Sequence, residues 1–281
     1  MSPHWYIDLN FDNQRWHNCT YIMVKSTLTK AYPEYSKKHG SVACTAGITD
    51  NGEWIRLYPI DIRHFIGQYK ISKYDLIEVE CKPDSDKLGR KESHKIRPDS
   101  IRIVDKSLTK PKIDWQKRNN IILPMIDNSI EVLQDKYETD KTSLGIIKPF
   151  KLLDFQKTEN LEVYENTSWS FAINLDGEVI PKVTKIPHVF KYHFKCNGCK
   201  ELTHNMQCED WELFESYRSW GGRYKNTNIL WEKLKGKYFY WMIKNRELYF
   251  VMGMYSQYPT WFIIGLYYPP KKFFSNNNTM E

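Results

Sequence analysis

Cys196-Asn197-Gly198-Cys199, followed by His204 and Cys208, gathers three of the chain's six cysteines and one histidine into thirteen positions. No other stretch restricts the fold so tightly, because these side chains meet only if the backbone doubles back within the segment. Thiolate sulfur and imidazole nitrogen are donors that Zn2+ prefers, and a C-x2-C pair delivers two sulfurs from one tight turn. Gly198 is placed to make that turn. The expected ligands are Cys196, Cys199, His204 and Cys208, with His193 as an alternative to either of the last two. A full set of four marks a structural ion, since a catalytic site keeps a position for water.

The order of these residues is similar to the zinc knuckle of nucleocapsid proteins, C-x2-C-x4-H-x4-C. Here the last gap is three residues and the loop holds no aromatic; Phe194 and Trp211 lie outside it. Lys and Arg number 41 against 34 Asp and Glu, a net charge of +7, which favours partners carrying phosphate. Aromatics make up 15% of the chain, with 10 Trp and 19 Tyr. Beside Lys and Arg they are the combination that stacks bases while neutralising phosphates, although β-rich chains also use aromatic strand residues. The start Met-Ser-Pro-His-Trp has no basic and apolar leader, and no apolar run approaches ~20 residues. The expectation is a cytoplasmic protein with no membrane contact. Cys19, Cys44 and Cys81 are dispersed as free thiols in a reducing compartment would be.

Strands are expected at Thr20 to Ser26, Val42 to Ile48, Glu53 to Tyr58, Asp75 to Cys81 and Ser100 to Val104. Asp50-Asn51-Gly52 turns the second into the third. Lys82 to Pro98 reads as one long charged loop. Ile122, Ile126, Ile130, Leu133 and Tyr137 recur at helical spacing, so a single helix is expected from Asn120 to Tyr137. Asp210 caps a helix closed by Gly221-Gly222, and a second, from Asn228 to Leu234, stops at Gly236. Leu248 to Met254 and Thr260 to Tyr267 are continuously apolar, as strands covered on both faces are.

Two constellations carry chemistry outside the cysteine segment. Asp75, Glu80 and Lys82 in D-L-I-E-V-E-C-K echo the E-x-K element of restriction-type nucleases, where carboxylates hold Mg2+ and the lysine positions a water. The same tripeptide arises when acidic and apolar residues alternate along a half-buried strand. Arg90 and Lys91 in the charged loop suit phosphate, as does a solvated surface. The chain has no G-x4-G-K-[ST], G-x-G-x2-G, G-x-S-x-G or H-E-x2-H, nor the H-x-E…P-C-x2-C pattern of zinc deaminases. The common nucleotide-hydrolysing, dinucleotide-binding, esterase, zincin and deaminase chemistries are thereby set aside.

Cys44-Thr-Ala-Gly47, a turn and Trp54-Ile-Arg56-Leu-Tyr-Pro59 resemble the C-x-A-G…W-I-R-P signature of bacterial proteins with a dual OB-type domain, found at genomic-conflict and mobile-element loci. Here Leu57 and Tyr58 separate Arg56 from Pro59. The resemblance covers about the first 150 residues if Ser143-Leu-Gly-Ile-Ile-Lys-Pro149 belongs to it, and it does not account for the zinc segment. It implies five-stranded barrels that bind single-stranded nucleic acid, a setting in antiviral defence and a protein partner from the same locus. On such a barrel, alternation puts Arg56 on the polar face, where Arg56, Arg63 and Lys70 would line a phosphate track; pairing of Arg56 with Glu53 or Asp61 is the other reading.

The fold expected is therefore α+β and β-rich, with OB-like barrel strands in the N-terminal half and a zinc-stabilised α+β module in the C-terminal half. Its segments are an arm at 1–19, an OB-like β domain at 20–110, a helix and second β segment at 111–190, the zinc module at 191–270 and a polar tail at 271–281. The expected function is binding of single-stranded DNA or RNA through Arg56, Arg63, Lys70, Arg90 and Lys91, with structural Zn2+. The alternatives are a Mg2+-dependent nuclease at Asp75, Glu80 and Lys82, or an interaction subunit of a larger complex.

Overall fold

Strand β1 (Thr20–Lys30) pairs antiparallel with β3 (Gly40–Thr49), and β3 with β4 (Trp54–Asp61) across the predicted Asp50-Asn51-Gly52 turn. β4 then pairs in parallel with β6 (Ser93–Ile96), β6 runs antiparallel to β5 (Leu76–Pro83), and β5 returns to β1. The result, in a computed structural model, is a closed five-strand mixed barrel consistent with the OB-like expectation. The short β2 (Glu34–Ser36) and β7 (Arg102–Asp105) extend it at β3 and β5. The structure describes residues 19–30, 34–36, 40–65, 70–84, 88–110, 115–160, 172–173, 179–180, 186–255 and 259–271. Residues 1–18 of the expected arm and 272–281 of the expected tail lie outside them.

Alternation fills the barrel: Ile55, Leu57, Ile77, Val79 and Ile96 point inward with Val24, as period-two side chains must. The fifth barrel strand, β6, corrects the reading of Lys82 to Pro98 as loop. Ser-His-Lys-Ile has little β propensity, and its place comes from the two ladders on either side.

The rest of the chain forms a second seven-stranded sheet, in the order β10, β13, β14, β16, β15, β9, β8. These strands are β8 (Ile126–Asp127), β9 (Leu144–Ile147), β10 (Lys151–Glu159), β13 (His188–Lys195), β14 (His204–Cys208), β15 (Tyr249–Met254) and β16 (Trp261–Tyr267), with a separate pair β11 (Ala172–Ile173) and β12 (Val179–Ile180). One sheet thus runs through both segments expected at 111–190 and 191–270. The single helix expected over Asn120 to Tyr137 is two, α1 (Trp115–Ile122) and α2 (Ile130–Asp140). Pro124 lacks an N–H and interrupts the ladder, and the Ser129 hydroxyl accepts the Val132 N–H at 3.3 Å to start α2 afresh.

Helix α3 (Trp211–Gly221) has the predicted Asp210 cap. Helix α4 (Thr227–Lys235) does not stop at Gly236; it continues through a π-helical stretch, Gly236–Trp241, into α5 (Met242–Asn245). Burial of Tyr238, Phe239 and Met242 in the main core outweighs the ~1 kcal/mol helix cost of Gly236.

These helices cover one face of the second sheet, packing Leu213, Phe214, Leu230 and Leu234 on Phe155, Phe190, Tyr192 and Phe250. Among the described residues, the opposite face is covered over β9, β15 and β16, where Leu144, Ile146, Val251, Ile264 and Tyr267 meet Leu28, Ala46 and Ile48 on the outside of the barrel. Full burial of β15 and most of β16 follows, as their sequences predicted. The outside of the second and third barrel strands, the face with which OB barrels take oligonucleotides, is therefore largely the seam between the two halves.

Candidate metal centre

β13 and β14 are hydrogen-bonded neighbours with Phe194 opposite His204, and the connection between them holds Cys196, Cys199 and the approach to His204. Gly198 takes φ +75°, a left-handed conformation that side-chain-bearing residues rarely adopt. One donor atom each from Cys196, Cys199 and His204 lies within 4.8 Å of the others. Sulfurs at ~2.3 Å from a tetrahedral ion would stand roughly 3.8 Å apart, so small side-chain adjustments suffice. These three residues can hold a metal ion.

The surroundings fit that role. His204 is 9% exposed and its Nε2 is buried without a hydrogen-bond partner, a costly arrangement unless the lone pair meets a cation. Its Nδ1 lies 3.8 Å from the Glu201 carboxylate, as a metal-bound histidine is commonly steadied on its far side. The N-terminus of α2 closes the inner side, with the Ile130 N–H directed at the Cys196 thiol. The Glu131 carboxylate accepts the Lys200 N–H at 2.7 Å. Burial, assisted by Cys199, pushes the Cys196 thiol up to about 12, so without a cation it stays protonated.

Two expected ligands are elsewhere. Cys208 sits four residues beyond His204 on β14, a separation of ~13 Å along an extended strand. It pairs with Phe190 and Ile263 and is fully buried in the apolar core, where burial raises its thiol far above the ordinary range. His193 pairs with Asn205, whereas His204 pairs with Phe194; alternation places His193 on the opposite face of the sheet from His204. The short H-x3-C gap in sequence becomes a long one in space once the segment is a strand.

The residues expected to bind nucleic acid are also redistributed. Arg56 is 4% exposed. Its Nη2 donates to the Ser143 carbonyl at 3.0 Å and hydroxyl at 3.1 Å, while Glu92 accepts from the Ser143 and Leu144 N–H groups and the Ser143 hydroxyl. The polar barrel face anticipated for Arg56 exists, but the second sheet is seated on it. Arg90 donates to the Met254 carbonyl at 3.1 Å, and Lys91 pairs with Asp140. Lys70 is exposed. Arg63 lies in the 3-10 turn Ile62–Phe65, and its side chain is outside the described set.

Asp75 does not converge with Glu80 and Lys82. Asp75 is fully buried, accepting the Ser72 N–H at 2.7 Å and the Thr109 hydroxyl at 2.6 Å. Glu80 lies five positions further on and pairs with Arg97 at 3.1 Å. Odd spacing puts the two carboxylates on opposite sides of the strand, ~17 Å apart. Asp75 is thereby separated from Glu80 and Lys82, which alternate onto one face of β5.

Sequence inspection misses a charged cluster in the seam. Lys73 reaches Glu212 at 3.6 Å and Asp210 at 3.8 Å, and Tyr268 donates to Glu212 at 3.2 Å. Burial acts to lower the Lys73 ammonium, but the two carboxylates outweigh it and bring it up to about 12. Nearby, burial lowers Lys30 to about 8, its amine 4.8 Å from the Phe65 ring centre and 5.5 Å from that of Trp211. Nothing local marks this meeting of residues 30, 73 and 212. A second omission was legible: H-V-F-K-Y-H-F-K, which becomes β13, buries Phe190, Tyr192 and Phe194 and leaves Lys191, His193 and Lys195 half-buried on the other side.

Two family models match the chain. A domain of unknown function (DUF8758) matches residues 22–124, and a domain of unknown function (DUF8757) matches residues 126–281, more than half of the chain. The chain belongs to the DUF8757 family. The DUF8757 match holds the second sheet, its helices and the Cys/His centre; the DUF8758 match holds nearly all of the barrel, and the two meet beside β8. No curated protein matches the chain. Among the described residues of this DUF8757 protein, no helix is long and apolar enough to cross a membrane.

Proposed function

We propose that this protein binds single-stranded nucleic acid on the side of β13 that faces away from the helices, with Zn2+ at Cys196, Cys199 and His204 fixing the adjoining loop. The observation that carries the reading is the half-buried polar side of β13. Lys191, His193 and Lys195 stand there at alternate positions, ~7 Å apart, and among the described residues no ion pair engages either lysine. Asn205 and Gln207 of β14 and Gln156 of β10 flank them through the ladders, Asn205 donating to Gln156 at 3.4 Å and Gln156 to Asp154 at 3.2 Å, and the Asp154 carboxylate opposite His193 is itself paired with Lys235 at 2.8 Å. At the end of the row Phe150 is 71% exposed beside Lys151, with its N–H bonded to the Lys195 carbonyl. An exposed ring next to lysines is the pairing that stacks a base and neutralises its phosphate. The net charge of +7 favours the same partner. This surface replaces the Arg56 track, whose cation is used inside the protein.

Fluorescence anisotropy with a labelled single strand over a salt series tests the proposal. The wild type should weaken steeply with salt, and Lys191→Ala with Lys195→Ala should flatten the log–log slope by about 0.7 for each phosphate no longer neutralised. Phe150→Ala should cost about 1–3 kcal/mol of binding. A folded Lys191/Lys195 double variant with undiminished affinity and slope refutes the reading.

A further inference from the structure

The ligand count at the Cys/His centre bears on what its ion can do. Cys208, the fourth ligand expected from sequence, is committed to the apolar core, and His193 projects from the other face of the sheet. The Glu201 carboxylate faces Nδ1 of His204, leaving Nε2 as the nitrogen free to ligate. One oxygen of Glu131 accepts the Lys200 N–H, and its carboxylate is not among the converging donors. Among the described residues, only Cys196, Cys199 and His204 bring donor atoms together in this way.

We infer that the centre holds its ion through these three donors and reserves the fourth coordination position for an exchangeable external donor, water at rest and a small thiolate or azide when supplied. Access is provided by the loop itself, in which Asn197, Gly198, Lys200, Glu201 and Leu202 are all exposed, Leu202 at 83%. The inner side is closed by the Ile130 N–H and by Phe194, whose ring centre lies 5.4 Å from that of His204. Two sulfurs and one imidazole favour a borderline-to-soft ion, and such an ion accepts a soft monodentate donor. Three protein ligands with one exchangeable position is the arrangement of zinc centres that polarise a bound molecule, as distinct from the closed sets of purely structural sites. Glu131 and Ile130 then act as positioning groups, tying the ligand loop to α2.

The inference rests on metal binding at this centre and is independent of nucleic-acid binding. Co2+ titrated into the purified full chain reports both parts. One equivalent should bind, with thiolate-to-cobalt charge transfer and the intense visible bands of a tetrahedral site, and Cys196→Ser or Cys199→Ser should abolish them. Adding azide, then 2-mercaptoethanol, should shift the visible bands saturably. Cys208→Ala and His193→Ala should leave the spectrum and its response unchanged, and Glu131→Ala should weaken cobalt binding about 10- to 100-fold. Visible bands insensitive to both added donors, or loss of one charge-transfer contribution in Cys208→Ala, overturns the open position while metal binding stands. Absence of any cobalt spectrum in the wild type overturns the metal centre itself.

Discussion

Arg56 of the barrel and Ser143 of the second half are joined twice, Nη2 donating to the serine carbonyl at 3.0 Å and to its hydroxyl at 3.1 Å. The same hydroxyl donates to Glu92 at 2.9 Å, so a cation and a carboxylate from the barrel hold one turn of the second half between them. Arg56→Ala should lower stability by about 2–3 kcal/mol, as loss of a buried charged hydrogen bond does. Glu92→Ala should do the same, and the double variant should lose less than the sum because both act on Ser143. Urea unfolding measures this. If Arg56 instead binds phosphate, Arg56→Ala will change the salt dependence of strand binding and leave the unfolding midpoint in place.

Gly47 of β3 packs tightly against β1. A methyl group there would sit 2.6 Å from Val24 Cγ1 and 2.8 Å from the Ser26 carbonyl oxygen, and β1 shifts register between those two residues. Backbone on one side leaves little room to yield, so Gly47→Ala should destabilise by about 1–3 kcal/mol. An alanine variant with an unchanged thermal midpoint would mean that the bulge relaxes freely.

Lys30 gives the seam a pH signature. Burial brings its amine from the ordinary 10.5 down to about 8, so between those values the unfolded chain holds a proton that the folded chain has released. Stability contributed at this site therefore rises with pH across that window and is lowest below it. Lys30→Met should stabilise the protein near neutrality by on the order of 1–2 kcal/mol, and the advantage should shrink as pH climbs from 8 towards 10.5. A constant offset between the two proteins over that range contradicts the assignment.

Asp75 and Glu80 should separate on mutation. Asp75→Ala strands the Ser72 N–H and the Thr109 hydroxyl and should cost about 1–3 kcal/mol. Glu80→Ala, which removes an ion pair at the surface, should stay within about 1 kcal/mol. Mg2+ should leave the melting temperature of the wild type unmoved. A Mg2+ stabilisation abolished by Glu80→Ala would restore the nuclease grouping.

The barrel was legible because its signals are local. Asn51-Gly52 between alternating runs, and Ile77, Val79 and Cys81 against Glu78 and Glu80, carry their outcome within a few residues. Two of the four expected metal ligands are equally local, Cys196 and Cys199 on one turn. Cys208 was misassigned because spacing in sequence says nothing about whether the intervening residues coil or extend; once His204–Cys208 is a strand, the last cysteine is carried away from the first three ligands. Arg56 shows the other limit. Alternation placed it correctly on the outside of the barrel, but what covers that outside is supplied by residues near 143, which no period in the first hundred residues can report. The same holds for Lys73, whose partners Asp210 and Glu212 come from a helix start nearly 140 positions away.

The apolar seam has a consequence for how the two matched families can be combined. Leu28, Ala46 and Ile48 on one side and Leu144, Val251 and Ile264 on the other form a single packed layer. Separated near residue 125, each half would present its share of that layer to water. Truncation at this point would therefore expose an apolar surface on each fragment, of the kind that drives association.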